Sequence, residues 1–317
     1  MSGFSLFGGY QKPGPGVSKD APQKPPVQRF FEVLFRKFFE LVKLNLLFLV
    51  PFAVVAILSY LVGLVTGQAF LWNLPFVLLS PFLAGLTFVT RNYAREEHAF
   101  IASDFKDAVL LNWKQFSIHG IICYVLVSLI AFCIRFYYTL AASQGPLFMV
   151  LFGVSIAVFL VFIFMQYYIP LMIVTFDLSL KQIYKNAFIF AIIGLWRNIL
   201  LTAIFGAILF LNYFLYYMNP TLVLLINGFL VLFFAFSFSS FLINFTVYPL
   251  IEKLMIHPAL EPADTQSSEA ESGEESTAAE GEEEKKSSEP EYVFYQGKLV
   301  KKSTLENDEG SIFQDRS

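Results

Sequence analysis

Long apolar stretches, separated by short polar segments, dominate the chain between residues 44 and 251. Six of them have the roughly 20 residues that an α-helix needs to cross a hydrocarbon core of about 30 Å. They are Leu44–Val65, Leu74–Thr90, Phe116–Leu140, Pro146–Phe176, Ile199–Met218 and Thr221–Ile251. The pattern predicts an all-α polytopic membrane bundle with six transmembrane helices. The second stretch is short and the fourth and sixth are long, which predicts tilts or kinks at Pro81, Pro170 and Pro249.

Three segments between these stretches have apolar residues at spacings of three and four, which predicts amphipathic helices at the membrane surface. They are Arg29–Lys43, Asp104–Lys114 and Leu180–Trp196. Each ends in a polar or basic element before the chain re-enters lipid: Lys43-Leu-Asn45, Asn112-Trp-Lys114 and Trp196-Arg-Asn198. This favours three repeats of a surface helix followed by a transmembrane hairpin. Ordinary basic flanks of a six-helix protein are the alternative explanation.

Positive charge indicates the orientation of the helices. Lysine and arginine residues occur before the first span and in the second and fourth connections, whereas the connections around 67–73, 141–145 and 218–220 contain none. By the positive-inside rule these three connections face outward, so both termini are expected in the cytoplasm.

Composition divides the chain into four parts. Only 15% of the residues are charged, far below the level of soluble domains, so a lipid environment is expected. Through Leu260 there are 16 Lys and Arg against 9 Asp and Glu, and from Glu261 onward there are 6 against 16. We therefore predict a cytoplasmic leader rich in proline and glycine at 1–28 and a membrane domain at 29–257. An acidic disordered linker at 258–291 and a cytoplasmic peptide at 292–317 follow. No nucleic-acid-binding motif occurs.

The last part contains two short apolar segments around a Gln-Gly pair, from Tyr292 to Val300. This pattern is typical of two strands joined by a turn, and short apolar elements after a long tether are typical of a docking peptide. An unstructured terminus with a few apolar residues is the alternative.

Candidate chemistry is sparse. The histidines His98, His119 and His257 do not form a metal-ligand motif with one another, and no P-loop, nucleophile elbow or dinucleotide fingerprint occurs. We therefore expect no cofactor, no metal and no enzymatic activity.

A few polar residues lie within the apolar stretches and are candidates for intramembrane function: Asn45, Arg135, Gln166, Asn212 and Asn227. Uncharged amides more often join helices by hydrogen bonds, and Arg135 can reach water from the end of its helix, so a structural role competes with ion coupling or pore lining.

The densest polar cluster follows the second span and is a candidate partner-docking surface. Its members are Arg91, Asn92, Arg95, Glu96, Glu97, Asp104, Asn112, Trp113 and Lys114. Ion pairs of the acidic residues with Arg91, Arg95 and Lys106 would instead make it a structural scaffold.

These residues also carry a resemblance. The segments Phe38–Leu49 and Pro81–His98, with Asp104-Phe and Asn112-Trp-Lys114, resemble the YesL-like family of bacterial membrane proteins over about residues 29–252. That family has no established activity. Its genes occur beside those of carbohydrate ABC transporters, which implies a link to sugar uptake.

Together these observations favour an accessory or regulatory partner of a carbohydrate uptake system. Its expected partners are the lipid bilayer, transporter subunits and a docking partner for the C-terminal peptide. A small-solute transporter or channel is the alternative function.

Overall fold

The computed structural model describes residues 25–260, 292–295 and 297–302 of the chain, which divides into two units, Met1–Arg36 and Lys37–Ser317. The prediction of an all-α polytopic membrane bundle is confirmed. The helices are α1 (Pro26–Arg36), α2 (Phe38–Thr66), α3 (Ala69–Trp72), α4 (Ser80–Ala94), α5 (Ile101–Gln144), α6 (Pro146–Thr175), α7 (Leu180–Ile193), α8 (Leu195–Met218), α9 (Pro220–Phe233), α10 (Ala235–Ile251) and α11 (His257–Leu260). A 3₁₀ segment, Leu74–Leu79, precedes α4, and a π-helical turn, Glu252–Ile256, follows α10.

The first unit contains the amphipathic helix α1. It begins at Pro26, where the N–H that proline lacks has no helical acceptor in any case. The rings of Phe31 and Phe35, one turn apart, stack at 6.3 Å. The helix was predicted to continue to Lys43, but it ends at Arg36. Lys37 leaves the helical conformation at ψ 14°, and the residues after it form the start of α2.

Among the described residues, five helical segments are long and apolar enough to cross a membrane, and a bent pair gives a sixth when its two helices are taken as one span. The segments are Phe38–Thr66, Phe70–Ala94, Ile101–Ala141, Pro146–Thr175, Leu195–Met218 and the pair Pro220–Phe233 with Ala235–Leu260. Each overlaps one predicted stretch. The predicted surface helix at Asp104–Lys114 is not separate, because α5 runs without a break from Ile101 into the third span.

The sixth span is sharply bent, but not at the proline expected to cause it. Its two helices meet at 65° around Phe234, whereas Pro249 lies in the last turn of α10. Pro81 lies in the first turn of α4, and Pro170 lies inside α6.

The Asn45 side chain of α2 stabilises this bend. Its Nδ2 donates to the carbonyl oxygens of Val231 and Leu232, at 2.9 and 3.0 Å. Its Oδ1 accepts the backbone N–H groups of Phe236 and Ser237, at 2.9 and 3.1 Å. One buried amide thus supplies partners for the end of α9 and the start of α10. A broken helix is tolerated at membrane depth when such partners satisfy the freed backbone groups.

Helix α4 lies at the centre of the second unit and packs against α5, α6 and α10. Gly85 permits the contact with α5, because a Cβ atom there would lie 2.7 Å from the Phe105 carbonyl oxygen. Small residues allow helix backbones to approach closely in this way.

The two strands predicted in the C-terminal peptide are confirmed. Strands β1 (Tyr292–Tyr295) and β2 (Lys298–Lys301) pair antiparallel, with Phe294 opposite Leu299. Gly297 adopts φ +78° in the connecting turn, a conformation that favours glycine. We call β1, Gly297 and β2 the C-terminal hairpin. The predicted disordered linker lies almost entirely, and the predicted leader largely, outside the described residues.

Candidate functional site

Helices α4 and α6 end close to each other, at Ala94 and Thr175. Arg91 belongs to the last turn of α4, a helix in which eleven of fifteen residues are buried. It has only 1% of its surface exposed. An arginine this deeply buried requires acceptors for its five N–H groups.

Neutral oxygens accept hydrogen bonds from all three guanidinium nitrogens of Arg91. Nη1 of Arg91 donates to the Val174 carbonyl at 2.9 Å, to the Gly297 carbonyl at 3.0 Å and to Thr175 Oγ1 at 3.3 Å. Nε and Nη2 donate to Oδ1 of Asn92, at 3.2 and 3.0 Å. The guanidinium also lies over the Phe88 ring, 4.4 Å from its centroid. Arg91 therefore joins α4, the end of α6 and the C-terminal hairpin.

The hairpin is held mainly through its backbone. Phe176 and Leu299 form a parallel β-bridge, and the Asp177 N–H donates to the Leu299 carbonyl at 3.3 Å. The side chains of Leu299 and Val300 are buried. A Cβ atom on Gly297 would lie 2.8 Å from Phe88 Cε2, so a larger residue at this position would clash with the Phe88 ring. We call Phe88, Arg91, Phe176 and Asp177 the hairpin seat.

Two charged side chains flank the seat. Arg95 pairs with Glu97 at 2.7 Å, and its guanidinium lies 5.3 Å from the Phe294 ring centroid and 5.5 Å from that of Tyr248. On the hairpin, burial lowers the pKa of Lys298; the Asp177 carboxylate opposes this shift and the Arg91 charge adds to it. Seating the hairpin therefore carries an electrostatic cost at this lysine.

The predicted docking residues divide by exposure. Glu96, Glu97, Trp113 and Lys114 are exposed, whereas Arg95 and Asp104 are partly buried. Arg91, Asn92 and Asn112 are buried, so a partner cannot reach them in this structure. The expectation that Arg91 belongs to an accessible surface is corrected, because its partners are internal carbonyl and hydroxyl oxygens.

Of the ion pairs expected in this cluster, that between Arg95 and Glu97 is present, whereas Arg91 and Asp104 have other hydrogen-bond partners. Asp104 accepts the Phe100 N–H at 2.9 Å and so stabilises the start of α5. It also lines a cleft of about 670 Å³ beside α5, together with Asp107, Leu111 and Asn112. Asp104 and Asn112 are therefore the predicted docking residues that line this cleft.

The candidate polar residues within the membrane spans have separate roles. Asn45 stabilises the bend of the sixth span. Asn212 and Asn227 exchange two hydrogen bonds, at 2.7 and 3.2 Å, and so join α8 to α9. Arg135 is exposed on α5 and borders a shallow, mainly apolar depression. The structure does not bring these residues together into one polar path.

Gln166 differs from the others because it borders a cavity. Its Oε1 accepts from Cys123 at 3.5 Å, while its buried Nε2 has no partner among the described residues. His119, one turn before Cys123, forms a 2.7 Å hydrogen bond with the Tyr184 hydroxyl. The cavity, of about 370 Å³, lies between α4, α6 and α10.

Sequence reasoning did not identify the residues of α4 that Asn244 contacts beside this cavity. Asn244 Nδ2 donates to the Thr87 carbonyl at 3.1 Å and to Thr90 Oγ1 at 2.8 Å. The Thr90 and Ser240 hydroxyls are 2.7 Å apart. Spacings of three and four between Thr87 and Thr90, and between Ser240 and Asn244, place each pair on one helix face and could have revealed the contact.

Residues 41–133 match the model of a family described as "Protein of unknown function, DUF624". The matched segment includes most of α2, all of α4 and the greater part of α5. No curated protein and no solved structure gives a significant match to the chain.

Proposed function

We propose that the protein is a non-enzymatic accessory or regulatory partner of a carbohydrate uptake system of the ABC type in a bacterial plasma membrane. The observation that carries this proposal is the hairpin seat. It holds a short peptide through an arginine and backbone groups, which is how many peptide-recognition sites operate. Arg91 acts here as an internal anchor, and the surface offered to a partner lies beside it.

That surface comprises the exposed residues Glu96, Glu97, Trp113 and Lys114. Trp113 leaves 51% of its surface exposed at the edge of α5. Exposed tryptophans with neighbouring charges are typical of interaction hot spots. The adjoining 670 Å³ cleft gives a partner side chain room to insert.

Membership of the YesL-like family is part of this proposal, and the match of residues 41–133 to a family of unknown function is consistent with it. The placement of both termini in the cytoplasm rests on the lysines and arginines of the second and fourth connections. The proposed docking surface then faces the cytoplasm, where the ATPase subunits of such transporters lie.

Purification from the native membrane in mild detergent tests the proposal. Transporter subunits should copurify with the wild-type protein, and Trp113→Ala should reduce their recovery by tenfold or more, roughly the effect of losing an interface hot spot. Trp196→Ala is the matched control, because Trp196 is an 83% exposed tryptophan on α8 that does not belong to the proposed docking surface. Repeated recovery of the wild-type protein alone would refute the proposal.

The orientation can be tested with an impermeant thiol reagent on intact cells. In a background that lacks Cys123 and Cys133, a cysteine at Gln144 should react and one at Ser267 should not. Labelling at Ser267 would overturn the proposed orientation.

A small-solute transporter is the second candidate, and the cavity between α4, α6 and α10 favours it. Thr87, Gln166, Ser240 and Asn244 place polar groups along an otherwise apolar wall. Such a lining suits a small uncharged solute. Flux of a monosaccharide into proteoliposomes that contain only this protein, lost in Gln166→Leu, would favour transport over the accessory function.

A further inference from the structure

The length of the linker before the C-terminal hairpin far exceeds what its seating requires. Helix α11 ends at Leu260, and its Cα atoms approach those of β1 within 8 Å. About three extended residues would span that distance. The chain instead places 31 residues, 261–291, between Leu260 and Tyr292. Fully extended, a segment of that length reaches about 100 Å, more than enough to arrive at a neighbouring molecule in the membrane.

The hairpin also depends on its seat. A two-stranded hairpin is at best marginally stable in water, so β1 and β2 need the contacts that the seat supplies. The seat, in turn, offers the hairpin a charged donor: Nη1 of Arg91 reaches the Gly297 carbonyl as well as the Val174 carbonyl and the Thr175 hydroxyl.

We propose that the C-terminal hairpin of one chain also occupies the hairpin seat of a second copy of this chain, so that two copies exchange hairpins. The same groups meet in both arrangements: the Gly297 carbonyl accepts from Arg91, Leu299 pairs with Phe176, and Val300 is buried. Because the contacts are identical, the balance between the two states depends on effective concentration. This inference does not rest on the proposed function.

Engineered disulfides distinguish the two arrangements. Partners in a β-bridge lie about 5 Å apart, within the Cα distance that a disulfide spans. With Cys123 and Cys133 replaced by alanine, a chain that carries Phe176→Cys and Leu299→Cys should close a disulfide within itself. Two differently tagged copies, one with each substitution, should form a disulfide between chains when they are coexpressed and oxidised in membranes.

A matched control measures how much interchain disulfide forms by random collision of two chains. A copy with Phe176→Cys is coexpressed with a copy carrying Ser267→Cys, which lies in the linker. The Leu299→Cys copy should give at least about tenfold more interchain product, because seating raises the effective concentration of the two thiols. An equal yield from both pairs would overturn the proposal, as would a closed intrachain disulfide with no interchain product.

Shortening the linker provides the decisive second variant. Deleting residues 264–288 leaves six residues, which extend to about 20 Å and still reach the chain's own seat. The intrachain disulfide should persist while the interchain product falls to the collision level. Interchain product that survives the deletion would contradict hairpin exchange.

A second cysteine pair protects the test against misfolding at the buried Phe176. Asp177→Cys and Val300→Cys replace an exposed residue and a buried valine that follow Phe176 and Leu299 in the parallel register, and they leave Phe176 intact. This pair should show the same pattern of intrachain and interchain products. Failure of both pairs to close within one chain would refute the seat itself.

Discussion

We call helices α8 and α9 together the α8–α9 arm. Helix α4 and this arm are both apolar, yet most residues of α4 are buried and most residues of the arm are not. The most apolar stretch of the span that contains α4 is less apolar than that of α8, yet 50% of its residues are buried, against 6% in α8. In α8 two of twenty-four residues are buried, and in α9 one of fourteen. The less apolar helix is therefore the more buried one. This inverts the rule for soluble proteins, because lipid solvates apolar side chains and leaves small and polar residues to hold helices together.

The polar residues follow the same division. Arg91, Thr90 and Asn244 join α4 to three other segments, whereas the arm has the Asn212–Asn227 pair between its own two helices. Asn45 lies between the two regions, at the bend where α9 becomes α10. Substitutions at matched positions should show how much each region contributes to stability.

The largest effect is expected from Arg91→Ala. The substitution removes five hydrogen bonds of a buried charged group and leaves internal carbonyls without a donor, so we expect a loss of about 3–5 kcal/mol in the free energy of unfolding. Arg95→Ala, four residues later, should cost under about 1 kcal/mol, because Arg95 forms a partly exposed ion pair. Unfolding in detergent measures both. Equal losses would mean that burial at the end of α4 does not distinguish the two arginines.

A Gly→Ala exchange compares the two regions with identical chemistry. At Gly85 the added methyl would meet the Phe105 carbonyl oxygen and ring, so we expect a loss of about 1–3 kcal/mol. At Gly206 in α8 nothing lies within 4 Å of the added methyl. The higher helix propensity of alanine should then stabilise the protein by about 0.5–1 kcal/mol. Thermal melting of the two variants should therefore shift in opposite directions, and a loss at Gly206 would indicate a contact of the arm with another molecule.

Amide residues allow the bend and the arm to be compared. Asn45→Leu removes partners from four backbone groups and should cost about 1–2 kcal/mol, near the upper end for polar contacts between membrane helices. Asn212→Leu should cost about 0.6 kcal/mol. The double variant Asn212→Leu with Asn227→Leu should unfold much like the wild type, because neither amide is then left without its partner. A double variant less stable than the single one would contradict this account.

The regions that sequence predicted well are those governed by local rules. Apolar length located the spans, and the two short apolar segments around the Gln-Gly pair located the two strands, because each depends on residues close in the chain. The role of Asn45 as a link between helices was also predicted from its place in an apolar stretch.

The failures concern partners that are distant in the chain. Arg91 was expected at a surface, but Gly297, 206 residues away, supplies one of its acceptors. No periodicity encodes such a pair. The bend was attributed to Pro249, whereas Asn45 stabilises a break around Phe234. A helix can break wherever a distant side chain supplies hydrogen-bond partners for its freed backbone groups. The local sequence pattern does not reveal that side chain.

The smallest expected effect is a pH dependence of hairpin seating through Lys298. Burial lowers the pKa of this amine in the seated hairpin, while the released hairpin should keep the ordinary value near 10.5. The released state therefore binds more protons between the two pKa values, so seating should strengthen as pH rises from the lower value toward 10.5. Below the lower pKa value Lys298 is charged in both states, so the electrostatic cost of seating no longer changes with pH.

Hydrogen exchange of the Leu299 and Val300 amides can measure this effect. After correction for the intrinsic pH dependence of exchange, protection in the wild type should rise between pH 7 and 10. Lys298→Met removes the titrating amine, so in this variant the two amides should be protected equally at pH 7 and pH 10. The Asp177 carboxylate favours the charged lysine, so Asp177→Asn should increase the dependence on pH. Flat protection in the wild type, with the hairpin seated throughout, would show that Lys298 keeps its amine in water.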